Sequence, residues 1–162
     1  MRIGNRRAYH DYQLLEKIEA GLELTGPEVK SVKEGHLSLE GSFVKIIGTE
    51  AYLVNAQIHP YSNAPAEGYD PKRTRKLLLH KKELMALKGR LQQSNLTLVP
   101  LSCYTTSRRR VVVAGQSHAS TKHSFIKLEI ALARGKKQYE KREALKRKDL
   151  ERQVEEELRG KI

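Results

Sequence analysis

Phe43-Val44-Lys45-Ile46-Ile47-Gly48-Thr49-Glu50-Ala51-Tyr52-Leu53-Val54 is the stretch on which the fold turns. Two runs of β-branched and aromatic residues flank Gly48-Thr49-Glu50, and a short Gly-containing loop between such runs predicts an antiparallel hairpin. Upstream, Tyr12 to Leu24 reads as a further strand, with Leu14, Leu15 and Ile18 apolar and Gly21 marking a bend or bulge. Thr25-Gly26-Pro27-Glu28 then opens a short helix, because Thr caps and Pro is tolerated in a first turn. Val29 and Val32 share one face of that helix, and Gly35 ends it. Downstream, residues 60–71 hold three of the five prolines and read as a long loop. Leu84, Leu87 and Leu91 mark a second helix near residues 80–92. Asn95 to Leu101 and Ser124 to Ala133 read as strands. Short strands with small helices at the connections predict a partly closed antiparallel barrel, α+β and mainly β, instead of a βαβ fold.

The chain has 162 residues, which suits one domain with an appended tail. The domain is expected to span residues 1–135 and the tail residues 136–162. No apolar run reaches the length of a spanning helix, no secretory h-region follows Met1, and the reading is cytoplasmic. Charge is the strongest compositional fact: 31 Lys and Arg stand against 19 acids, a net +12. Residues 72–90 and 108–137 each carry +7, while residues 1–71 carry −3 and residues 138–162 only +1. Two concentrated basic blocks are what a phosphate backbone attracts, through counterion release. The tail differs from the rest. Seventeen of its 27 residues are charged, and Leu150, Val154 and Leu158 form only a thin helical seam. Such a helix buries too little to hold itself on a core, so the tail is expected to order on a partner.

Several chemistries find no support. Nucleotide-cradling glycine motifs are absent. Histidines 10, 36, 59, 80, 118 and 123 show no metal-binding spacing. Cys103, the one cysteine, excludes an intramolecular disulfide and reads as a small buried thiol. The acids of the first 71 residues are scattered and single out no carboxylate pair for acid/base work. These absences argue against an enzyme and give no cofactor or metal.

Four segments go beyond composition. They are Asn5-Arg6-Arg7-Ala8-Tyr9-His10-Asp11-Tyr12, Gly21 to Ser31 with its Thr25-Gly26-Pro27-Glu28-Val29-Lys30 centre, Asp70-Pro71-Lys72-Arg73-Thr74-Arg75-Lys76-Leu77-Leu78-Leu79-His80, and Ala131-Leu132-Ala133-Arg134-Gly135-Lys136-Lys137-Gln138-Tyr139-Glu140-Lys141-Arg142-Glu143. In this order and spacing the chain closely resembles the SmpB (small protein B) family, the SsrA-binding proteins that bind transfer-messenger RNA in bacterial trans-translation. The resemblance covers nearly the whole chain.

The resemblance implies an oligonucleotide-binding-type antiparallel β-barrel with about three helices and a basic C-terminal tail. It implies binding of the tRNA-like domain of transfer-messenger RNA and its delivery to stalled ribosomes, with no covalent chemistry. The partners implied are that RNA and the small ribosomal subunit with its ribosomal RNA. A translation elongation factor and alanyl-tRNA synthetase are met only through the RNA. The protein is expected to be a monomer that does not engage membranes. The tail, disordered when free, is expected to become helical on the ribosome, reading the decoding centre and the vacant message channel. One departure stands out. The stretch from Thr105 to Ser124 is about a dozen residues longer than the family's usual turn and reads as an extended loop, with an Arg triplet beside Val111-Val112-Val113.

Residue roles follow from position and from the resemblance together. Arg73, Arg75 and Lys76 precede an apolar triplet and are expected to reach phosphates at a loop-to-strand junction. Leu77 and Leu79 alternate into the core, while Leu78 points outward to pack on an unstacked base. His80 either meets a base edge or caps the second helix. The resemblance gives Glu19 to base amino groups or a 2′-hydroxyl and adds His10 from the matched N-terminal segment. Lys127 is a phosphate partner on the strand leading to Gly135. At the tail entrance, Tyr139 among Lys136, Lys137, Lys141 and Arg142 is either a stacking platform or a staple to the barrel. Leu145, Lys146, Arg147 and Lys148 would line the ribosomal channel. The alternative function is a general RNA-binding barrel, an RNA chaperone or a ribosomal protein; an RNA-modifying enzyme would need a convergent acid, His or metal cluster.

Overall fold

Strand β1 (Arg2–Gly4) runs into Asn5, whose side chain caps helix α1 (Arg6–Asp11) by accepting the Ala8 N–H at 3.2 Å. The same buried amide donates to the Leu39 and Pro100 carbonyls, both at 3.0 Å, so one side chain ties three segments together. In the computed structural model, which describes residues 1–65, 67–93, 95–108, 123–137, 140–143, 145–147, 149 and 152, the remaining elements follow in order. They are β2 (Tyr12–Leu22), α2 (Gly26–Lys33), β3 (Leu37–Ser38), β4 (Phe43–Ile47), β5 (Glu50–Val54) and β6 (Gln57–Ile58), then β7 (Arg75–Leu78), α3 (Lys81–Gln93), β8 (Thr97–Arg108) and β9 (His123–Gly135). The expected β4–β5 hairpin forms, with Ile46 opposite Ala51 and Ile47 opposite Glu50, so Glu50 belongs to the strand and not to the loop; Gly48 takes the left-handed φ of +62° that the tight turn requires.

The pairings close on themselves. β8 meets β4 on one edge and β9 on the other, and β9 continues through β2, β7 and β5 back to β4. Six strands therefore make a ring, with β1 added to the β8 edge opposite Ser102 to Tyr104. Closure removes the exposed strand edges that an open sheet would present. Leu53, Leu98, Leu128 and Ile130 fill the interior, and α2 and α3 contribute Val32, Leu84 and Leu87 to the same core. α2 stops at a Schellman turn. His36 N–H donates to Ser31 O and Gly35 N–H to Val32 O, with Gly35 at φ +93°.

Four details depart from the sequence reading. α1 appears where no helix was expected, since its six residues carry too little periodicity to announce themselves. Gly21 is no bend; the β2 irregularity falls between Leu14 and Glu16, which leaves Leu15 exposed. β8 continues seven residues past Leu101, passing Pro100 at a register shift where its missing N–H costs no ladder bond. Finally, the stretch 105–124 is not loop at both ends. Thr105, Thr106, Ser107 and Arg108 pair with Ile126, Phe125, Ser124 and His123, so strand pairing narrows the insertion to 109–122, which lies outside the described residues with Val111-Val112-Val113.

Candidate nucleic-acid interface

The outer wall of β7, β2, β9 and β8 collects side chains distant in sequence. Leu78 lies opposite Gly21, Gly21 opposite Lys127, and Lys127 opposite Tyr104, so one row crosses four strands. Leu78 is 55% exposed, and Phe125, one outward position along β9 from Lys127, is 52% exposed, which makes this wall partly apolar. The Leu78 Cβ sits 3.1 Å from where a Cβ on Gly21 would be, so glycine lets Leu78 lie close across β2, where any side chain at 21 would press on it. Glu19 stands one outward position along β2 and accepts from both the Lys127 ammonium and the Tyr104 hydroxyl. Beyond it, Glu129 accepts from Ser102 Oγ at 2.8 Å and from Arg2 at 3.2 Å, while the Arg2 guanidinium stands 5.9 Å from the Tyr104 ring centre. The wall thus offers a flat apolar strip, an aromatic ring and carboxylates held by cations. Such a surface can pack against an unstacked base and accept its amino groups.

The structure brings Glu19, Leu78 and Lys127 onto one wall. Sequence reading missed Tyr104, Phe125 and Arg2, which join the wall through the β1–β8–β9 register, and Lys17 on β2, which pairs with Glu129. The alternation of Phe125 with Lys127 along β9 was the available signal.

Arg75 is the main correction. It is fully buried, not at the surface, because it opens β7 on an inward-facing position. Its guanidinium donates to Glu28 at 3.0 Å and to the carbonyls of Ala56, Arg73 and Pro71 at 2.8, 2.9 and 3.0 Å. No donor is left for phosphate. Glu28 is the centre of this cluster and was not singled out in the sequence. Its buried carboxylate also accepts from Arg73 at 2.8 Å and from the Thr25 N–H at 2.9 Å, at the start of α2. Burial pushes the Glu28 carboxyl up, but the hydrogen bonds from Arg73, the Thr25 N–H and Arg75 outweigh it and hold the group at about 2. The cluster joins α2 to the approach to β7, on which Leu78 is carried. Arg73 is half-buried against Glu28, and Lys76 pairs with Glu50. Of the three expected phosphate ligands, Arg75 is structural and the other two are already engaged by acids.

His80 adopts the helix-capping role. Its backbone N–H donates to the Glu83 carboxylate at 3.1 Å and its carbonyl accepts from Leu84, while the imidazole stays exposed beside the β2 wall. His10 is exposed on α1, 3.0 Å from Asp11, away from Glu19 and Leu78. The root of the tail meets the barrel there. Lys136 donates its N–H to Asp11 O at 2.9 Å, its ammonium reaches Tyr9 O, and Lys141 bonds the Asp11 carboxylate at 2.9 Å. Hydrogen bonds from Lys141 and His10 bring the Asp11 carboxyl down to about 2. The tail therefore has an anchored first turn, which its charge content did not suggest. Gly135 ends β9, and residues 140–143 and 145–147, with Arg142, Lys146 and Arg147 among them, are helical. Tyr139 and Lys148 lie outside the described residues, so neither alternative for Tyr139 is decided. Lys137 donates its N–H to Glu140 at 2.8 Å, a cap for the helical residues that follow.

Among the described residues no group of His, Cys, Asp and Glu could hold a metal ion. Cys103 is buried in β8, and burial pushes its thiol up to about 12, which leaves it without nucleophilic character at neutral pH. No helix among the described residues is long and apolar enough to cross a membrane.

Residues 2–160 match the family model described as SmpB protein. A relative from Sulfurihydrogenibium sp. (strain YO3AOP1), described as "SsrA-binding protein", is 49% identical over 158 residues, covering 98% of this chain and 93% of the relative. Another of the same description, from Persephonella marina (strain DSM 14350 / EX-H1), is 43% identical over 158 residues with the same coverage. A solved structure described as "tmRNA-SmpB: a journey to the center of the bacterial ribosome" superimposes with a TM-score of 0.63 at 43% identity, covering 85% of each chain.

Proposed function

The chain belongs to the SmpB protein family, and from that premise we propose how it works. It binds transfer-messenger RNA at the tRNA-like domain and delivers it to stalled ribosomes in trans-translation, as an RNA-binding protein and not an enzyme. The observation that carries this reading is full-length family membership, at 43–49% identity to SsrA-binding proteins, in a chain with +12 net charge.

Within this reading the β7–β2–β9–β8 wall is the RNA contact. Leu78 packs on an exposed base with Gly21 as its floor. Glu19, aimed by Tyr104 and Lys127, accepts from a base amino group or a 2′-hydroxyl. Lys127 and Arg2 supply positive charge beside phosphates, and counterion release contributes affinity that falls with salt. The tail, leaving the barrel beside α1, serves the ribosome, with Lys136, Lys137, Lys141, Arg142, Lys146, Arg147 and Lys148 facing ribosomal RNA and Tyr139 stacking on a base. The elongation factor and alanyl-tRNA synthetase engage the RNA and not this chain, and the protein works as a monomer in the cytoplasm. Sequencing the RNA that co-purifies with the protein tests the reading. One dominant tRNA-like species is expected, whereas a broad mixture would overturn it in favour of a general RNA-binding barrel.

A further inference from the structure

Glu19 and Glu129 stand directly opposite each other on β2 and β9, on the outer face of the wall, and like charges so placed repel. Lys127 and Tyr104 hold Glu19. Glu129 has a different set of partners. From below, the buried Ser102 hydroxyl donates to its Oε2 at 2.8 Å. From above, the Arg2 guanidinium reaches Oε2 at 3.2 Å and the Lys17 ammonium lies 3.7 Å from Oε1. Exposure fixes this order: the Glu129 side chain is 19% exposed, against 67% for Arg2 and 51% for Lys17. Two solvent-facing cations, one from β1 and one from β2, thus converge on a single sunken carboxylate.

Each cation also rests against an aromatic ring. Arg2 stands 5.9 Å from the Tyr104 ring centre, and Lys17 stands 5.8 Å from that of Tyr9. Pairing of β1 with β8 keeps Arg2 in register opposite Tyr104. Exposed ion pairs add little to fold stability, so stability alone does not account for this arrangement. A carboxylate that draws two cations to one point marks where a further anion is held. Among the described residues the guanidinium spends only Nη2 on Glu129 and Ser102, which leaves Nε and Nη1 for that anion.

We propose that Glu129 is a positioning residue that holds Arg2 and Lys17 as a two-cation clamp on one RNA phosphate, beside the carboxylate of Glu19. The proposal deepens the reading of this wall as the contact with the tRNA-like domain, and rests on it. The planar guanidinium gives the clamp direction and the ammonium adds a point charge. The clamp lies on the side of the wall nearest the tail, since the Tyr9 carbonyl takes the Lys136 ammonium. A phosphate fixed there sets the register in which Glu19 meets a base or a 2′-hydroxyl. Glu129 lies beneath the cations and acts through them.

The test titrates the full chain with a fluorescent transcript of the tRNA-like domain over a salt series. Because one phosphate is shared, Arg2→Ala, Lys17→Ala and the double variant should each flatten log K against log salt by about 1. A flattening of about 2 in the double variant would mean separate phosphates and would overturn the clamp. Glu129→Gln keeps an acceptor for Ser102 but no longer attracts the cations. It should weaken transcript binding although the wall becomes more positive, flatten the slope by about 1, and melt near wild type. In the Arg2→Ala/Lys17→Ala background the same substitution should cause no further weakening. Unchanged or tighter binding by Glu129→Gln, or a loss that persists in that background, would overturn the positioning role. A short RNA duplex is the control. If wild type does not prefer the transcript to it, the tRNA-like reading fails, and the same variants titrated with the duplex still decide the clamp.

Discussion

Replacing Arg75 with alanine separates a fold-holding arginine from a phosphate-binding one. The side chain is fully buried, bonded to Glu28 and to the carbonyls of Ala56, Arg73 and Pro71. Its removal leaves three carbonyls without this donor and the buried Glu28 carboxylate with one arginine instead of two. Breaking a buried pair by deleting one partner costs about 3–5 kcal/mol. For a chain of this size each kcal/mol lowers the melting midpoint by about 2–4 °C, so a fall of about 6–20 °C is expected. Thermal and urea melts measure it. RNA affinity, read by fluorescence anisotropy well below the melting range, should stay within about twofold of wild type, a difference of about 0.4 kcal/mol. Lys76→Ala, which removes an exposed pair with Glu50, should leave the midpoint near wild type. An Arg75→Ala protein that melts normally but binds RNA about tenfold more weakly would refute the structural assignment.

The depressed Glu28 carboxyl makes stability pH-dependent with a definite sign: the contribution is complete above the ordinary carboxyl value of 4.5 and is lost as pH falls through about 2. Glu28→Gln should therefore flatten the acid limb of the unfolding curve between those values, and an unchanged limb would count against the cluster. Asp11, held at about 2 from an ordinary value of 3.8, contributes stability that is lost over the narrower window between those values, so Asp11→Asn is the companion measurement. Gly21→Leu should lift Leu78 off β2, reducing RNA affinity about fivefold or more, the loss of a base contact worth about 1 kcal/mol, with the fold retained by circular dichroism. Deleting residues 137–162 should leave transcript binding intact and abolish rescue of stalled ribosomes, and comparable loss of both would show that wall and tail are not separable. Hydrogen exchange on the full chain should protect the Lys136 amide, which bonds Asp11 O, more than those of residues 150–162, whose seam is too thin to dock.

Legibility in the sequence followed the range of the interactions. The β4–β5 hairpin and both ends of α2 were readable because Gly48, Pro27 and Gly35 act within a few residues of themselves. α3 was readable from Leu84, Leu87 and Leu91, which repeat at helical spacing. α1 was not, since its cap, Asn5, is buried through bonds to Leu39 and Pro100, residues 34 and 95 positions away. Within the site, Glu19, Leu78 and Lys127 were named through resemblance to a family, while Tyr104 and Phe125 joined them only once the β8–β9 register was known.

By itself, the amino-acid sequence determined the mainly β fold class, the short turns and caps, the amount of positive charge and the family. These depend on composition, local propensity and motif order, which a chain carries before it folds. Tertiary structure alone decided which charges are free. Arg73, Arg75, Lys76 and Arg90 look alike in a basic run, but acids from α2, β5 and β2 engage all four, while Lys81 and Lys88 on α3 have no acidic partner among the described residues. Ring closure likewise set Glu19, Leu78, Lys127 and Tyr104 on one wall. Coulomb attraction and burial act through space, so the role of a charged residue is settled by the element that folds back against it.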